Sequence, residues 1–162
     1  MLSSTNETLC FTGHRVLPSY HIEGLRAALR YEILRHYHLG VRNFISGGAL
    51  GFDMLAAETV AQLKSELKDV KLIFAIPCAD HTKGWNDAQK RRFDVLCGYA
   101  DETTVLAERY FTGCMHARNR YMVQRSRYCI SYCTKNSGGT YYTVKTAQRS
   151  GLTVTELSEC LQ

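Results

Sequence analysis

The sequence has no Cys-x-x-Cys, no His-x-x-His and no His-Glu-x-x-His, so the common zinc spacings are missing. It also has no Gly-x-Gly-x-x-Gly, no Walker lysine loop and no Gly-x-Ser-x-Gly elbow. NAD binding, P-loop hydrolysis and serine-hydrolase chemistry are therefore unsupported, and no cofactor or metal is expected. No apolar run approaches the roughly 20 residues that a bilayer span requires. The N-terminal MLSSTNETLCFTG lacks the basic start and apolar stretch of a signal peptide, so a cytoplasmic protein with no membrane partner is expected. There is no linker, low-complexity segment or internal repeat, and residues 1–162 read as a single domain.

Seven cysteines stand at 10, 78, 97, 114, 129, 133 and 160. An odd number without an export signal fits reduced thiols, many of them buried as small hydrophobes. The net charge of +5 is spread along the chain, which permits an anionic ligand without demanding one. The Lys90-Arg-Arg92 run reads as a solvated helix face.

Short apolar runs alternate with helical patterns. Strands are predicted at 8–12, 43–46, 70–76, 102–106, 128–132 and 152–156, with helices at 22–37, 54–67, 87–97, 115–125 and 139–149. Apolar strands separated by helices indicate a parallel sheet covered on both faces. The expected fold is therefore α/β, Rossmann-like and doubly wound, with a mainly parallel sheet of about six strands.

In such a sheet, ligands bind in the loops at the carboxyl ends of the strands. The unusual residues collect there, as Thr12-Gly-His-Arg15, Ser46-Gly-Gly-Ala-Leu-Gly-Phe-Asp53, the long loop 77–86 and Asn136-Ser-Gly-Gly-Thr140. Glycine lets a backbone approach phosphate oxygens closely, and a helix N-terminus favours an anion by about 0.3–1 kcal/mol. Ser46, Ser137 and Thr140 add hydroxyls, and Arg15 a bidentate charge. The loops at 46–53 and 136–140 read as two halves of a phosphate cradle.

Each feature also has a plainer reading. Gly47, Gly48 and Gly51 also suit close packing of helix on sheet, and Asp53 a helix start. Arg15 also suits a surface ion pair. Trp85 can stack on a base or plug the core. His14, His81 and His116 lie in or near these loops, and a lone histidine is more often structural.

Together, Thr12-Gly-His-Arg15, ISGGALGFDMLAAE at 45–58, Ala75-Ile-Pro77 with the following Trp85, Arg118-Asn-Arg-Tyr-Met122 and GGTYYTVKTA at 138–147 resemble the YpsA-like branch of the SLOG superfamily. That superfamily also holds DprA and the LOG phosphoribohydrolases, and the likeness covers nearly the whole chain. It implies a Rossmann-like fold whose glycine loops bind a nucleotide-derived ligand. Carried onto this chain, the binding positions are Gly13, Arg15, Ser46, Gly47, Gly48, Gly51, Asp53, Gly138, Gly139 and Thr140, joined by Arg118 and Asn119. The residues themselves add His14, Trp85 and Ser137. The resemblance also implies a homodimer or higher homo-oligomer.

This chain departs from the LOG pattern at one decisive place. The LOG loop, Pro-Gly-Gly-x-Gly-Thr-x-x-Glu, ends in a glutamate that serves glycosidic cleavage, and Thr143 takes that place here. A threonine cannot act as a carboxylate does at an oxocarbenium ion. Catalysis would then fall to Asp53 or Glu58, with Arg118. Three functions follow in order of support: binding or sensing of a nucleotide-derived phosphate ligand, hydrolysis of a nucleoside-monophosphate N-glycosidic bond, and DprA-like binding of single-stranded DNA.

Overall fold

The computed structural model describes residues 5–161, so the first four residues of the N-terminal stretch lie outside it. Strands β1 (Thr8–Gly13), β2 (Asn43–Ser46), β3 (Lys71–Ile76), β4 (Glu102–Val105), β5 (Tyr128–Tyr132) and β6 (Thr153–Glu156) alternate with five helices. These are α1 (Ile22–His38), α2 (Phe52–Leu63), α3 (Asp87–Cys97), α4 (Cys114–Gln124) and α5 (Gly139–Arg149). The sheet order is β4-β3-β2-β1-β5-β6, and every pairing is parallel.

Alternation along the strands decides the two faces. Leu9, Phe11, Phe44, Leu72, Phe74 and Ile130 point toward α1, α2 and α3. Cys10, Ile45, Ala75 and Cys129 point the other way, against Met122 and Val123 of α4 and Ala147 of α5. The first face is aromatic and thick; the second is built from small side chains. Cys10 and Cys129 are register partners on neighbouring strands and fully buried, so these thiols serve as compact apolar residues. All seven cysteines are free.

On α1, Leu25, Leu29 and Ile33 recur every fourth residue and are wholly buried. Each such side chain contributes about 1.5–3 kcal/mol by leaving water. Helix α3 starts at Asp87 because Asn86 accepts the Gln89 N–H at 2.8 Å while Gln89 accepts the Asn86 N–H at 3.0 Å.

Helix α2 differs from the predicted 54–67: it begins at Phe52 and ends at Leu63. Beyond it, Lys64 Nζ donates to the Tyr99 carbonyl at 2.8 Å and meets Asp101 Oδ2 at 2.5 Å. Leu67 still packs on the core, but from a turn. An apolar stripe reports burial and not helix length.

The chain moves outward from β1 to β4, then returns to lay β5 on the other side of β1. The loops leaving β1 and β5 therefore part at one point on the carboxyl edge. In doubly wound sheets that divergence opens a crevice.

Candidate functional site

The glycines after β2 face the protein's own atoms. A Cβ on Gly13 would collide with the Phe52 side chain, the first residue of α2. Gly51, with φ of 80°, lies against the backbone carbonyls of His14 and Arg15, and the Phe52 N–H donates to the His14 carbonyl at 3.0 Å. A Cβ on Gly47 would lie 2.5 Å from Arg118 Nη1 and 2.6 Å from Asp53 Oδ2. Gly48 faces Ile76 and His81. This turn is thus packed tightly onto the β1 loop and onto α4.

Its polar groups are used internally as well. Ser46 Oγ donates to the Asp53 carbonyl at 2.9 Å and accepts the Gly48 N–H at 3.2 Å. Asp53 Oδ2 accepts the Ala49 N–H at 3.3 Å. Burial raises the Asp53 carboxyl to about 6, against the opposing pull of Arg118, the Ala49 N–H and Arg15.

Arg118 is itself buried, 4% exposed. Burial lowers its pKa, and Asp53 opposes that shift. It reaches from α4 over the edge of the sheet and donates through Nη1 to the Gly47 carbonyl, and at 3.4 Å to that of Ala75. Its Nε donates to Asn119 Oδ1 at 2.8 Å, and Asn119 Nδ2 donates to Thr143 Oγ1 at 2.9 Å. Thr143 Oγ1 then donates to the Gly139 carbonyl at 3.0 Å. A continuous chain of hydrogen bonds therefore bridges the two glycine loops.

The second loop is the open one. A Cβ added at Gly138 or Gly139 would meet nothing within 4 Å, and α5 starts without a side-chain cap. Ser137 is exposed and Thr140 half-buried beside it. Two clefts involve the segments around these loops. One, of about 490 Å³, lies between α4 and α5 and is lined by His116, Asn119, Arg120, Tyr142, Thr143 and Thr146. The other, of about 540 Å³, lies where the β1 and β5 loops part, among His14, Arg15, Tyr20, Tyr132, Thr134 and Lys135.

The second cleft is held together by His14, whose Nε2 accepts the Thr134 N–H at 2.9 Å. Nε2 is therefore unprotonated, and the ring's proton sits on Nδ1. Burial first, then the Lys135 charge, holds His14 below its ordinary range. Arg15 is exposed, with Nη2 3.6 Å from Met115 Sδ. Among the described residues neither Arg15 nor Lys135 forms an ion pair.

Of the expected site residues, His14, Arg15 and Asn119 line these two clefts and the others do not, Glu58 and Trp85 among them. Glu58 lies midway along α2, where Arg92 of α3 holds both its carboxylate oxygens, Nε reaching Oε2 at 2.7 Å. Trp85 packs on the core beside His81 and Phe93, at ring distances of 5.3 and 6.0 Å. Sequence reasoning also missed Tyr20, His21, Tyr132, Thr134 and Lys135. Thr134 and Lys135 were signalled by the loop that begins directly after β5, but only the strand order brings that loop beside Tyr20 and His21 of the β1–α1 connection. Among the described residues no group of three His, Cys, Asp or Glu side chains can hold a metal, and no helix is long and apolar enough to cross a membrane.

A model of the YspA SLOG family matches residues 18–156. A UPF0398 protein of Ligilactobacillus salivarius (strain UCC118) is 25% identical over 124 residues, covering 75% of this chain and 68% of the relative. DNA processing protein A of Streptococcus pneumoniae superposes with a TM-score of 0.66 at 19% identity, covering 92% of this chain and 49% of that one. This chain thus spans about half of it. The Helicobacter pylori protein of that name, solved for its single-stranded DNA binding mode, gives 0.66 at 18% identity, with 94% and 65% covered. At such identities the structural likeness establishes the fold alone.

Proposed function

The chain belongs to the YspA SLOG family, and from that premise we propose that it binds or senses a nucleotide-derived phosphate ligand at the carboxyl edge of the sheet. The supporting observation is the cleft between the β1 and β5 loops, lined by Arg15 and Lys135, neither of which forms an ion pair among the described residues. Its volume of about 540 Å³ is that of an ordinary small-molecule site, roughly 300–1,000 Å³. Two cations on one cleft, with His14 beside them, suit a phosphate.

Binding has better support than glycosidic cleavage. The Thr143 hydroxyl is tied to Asn119 and Gly139, Asp53 is 5% exposed, and Glu58 is neutralised by Arg92. A thermal-shift panel of nucleoside mono- and diphosphates and ADP-ribose tests the reading. A ligand at a hundred times its Kd adds about 2.7 kcal/mol of stability. The shift should vanish in Arg15→Ala/Lys135→Ala; a full shift in that double variant contradicts the reading.

One observation favours single-stranded DNA as a second reading. Tyr20, Tyr110, Phe111 and Tyr142 are 82, 63, 50 and 64% exposed, in the β1–α1 and β4–α4 connections and early in α5, and Arg15, Arg109 and Lys135 lie in the same or the preceding segments. Exposed rings among cations suit stacked bases, each worth about 1–3 kcal/mol. Oligo(dT) binding that falls steeply with salt and is lost in Tyr110→Ala/Phe111→Ala supports it.

A further inference from the structure

The cleft between the β1 and β5 loops has a row of rings along it. Tyr20 meets His21 at 4.6 Å, His21 meets Tyr132 at 6.2 Å, and Tyr132 meets His14 at 5.7 Å, each edge to face. His21 Nδ1 is also 2.8 Å from Tyr132 Oη, and Tyr132 is 1% exposed, so the row is anchored in the core. Its inner end, His14, is bonded to Thr134 and adjoins Arg15 in sequence, as Thr134 adjoins Lys135. Its outer end is Tyr20, 82% exposed on the lip of the cleft. A tyrosine this exposed adds nothing to the core, yet its neighbour is held by a partly buried hydrogen bond.

Cations on one part of the cleft and an exposed ring on its lip suit a mononucleotide, whose phosphate and base lie on opposite sides of the ribose. We propose that Tyr20 is the stacking platform for the base and that the cleft takes nucleoside monophosphates in preference to sugar phosphates. This rests on the phosphate-binding reading above. Among the described residues no carboxylate lines the cleft, so the preference comes from ring stacking and charge, and not from a bidentate grip on ribose hydroxyls.

Calorimetric titration of AMP and of ribose 5-phosphate separates the two levels of the claim. The native protein should bind AMP about tenfold or more tightly than ribose 5-phosphate, from one stacking contact. Tyr20→Ala should bring AMP down to the level of ribose 5-phosphate and leave the latter unchanged, while Tyr20→Phe keeps the preference. Equal native affinities, or a preference that survives in Tyr20→Ala, overturn the role of Tyr20 while the phosphate site stands. Binding of both ligands that persists in Arg15→Ala/Lys135→Ala, or of neither by the native protein, overturns the phosphate site itself.

Discussion

Arg118 donates to the carbonyl of Gly47 from the opposite face of the sheet, and a side chain on Gly47 would occupy the space of its guanidinium. The glycine after β2 is there for the protein's own arginine. Gly139 is the reverse case, with open space where its Cβ would be.

Alanine at these two positions should therefore act in opposite directions. Gly47→Ala overpacks a site walled by Arg118 and Asp53 and should destabilise the protein by about 1–3 kcal/mol. Gly139→Ala, with no neighbour to strike, should be neutral or stabilise by up to about 1 kcal/mol. Urea unfolding of the two variants measures both, and similar losses would refute the distinction.

Asp53 gives a pH dependence of definite sign. Its pKa in the fold is raised from 3.8 to about 6, so the folded protein binds the proton more tightly than the unfolded chain. The stability it contributes is fully present below 3.8 and is lost as pH rises through about 6. Asp53→Asn imitates the protonated acid. It should flatten this part of the stability curve and gain on the order of 1–3 kcal/mol over the native protein between pH 4 and pH 8. Chemical denaturation at the two pH values tests this. A native advantage that grows with pH would mean that Arg118 outweighs burial.

Glu58 should matter little to ligand binding. Its pair with Arg92 is partly exposed, the side chains being 23 and 41% accessible. Glu58→Gln should cost about 0.2–1 kcal/mol and leave nucleotide-induced thermal shifts intact. Loss of those shifts would instead place the site in the groove between α2 and α3.

The sequence by itself determined the order of strands and helices and hence a parallel α/β sheet, because burial imposes local periods that survive in the amino-acid pattern. It also located the unusual residues at the carboxyl edge and marked Arg118 and Asn119. It did not determine how the loops share their space. A glycine lacks a Cβ whether its neighbour is a phosphate or the protein's own side chain, so Gly47 and Gly139 read alike until Arg118 is seen against only one of them. Nor could it bring Tyr20, Tyr132 and Lys135 together. Tyr20 is distant along the chain from the other two and meets them because β5 returns to lie beside β1, a choice made by packing across the whole sheet and not by any local segment.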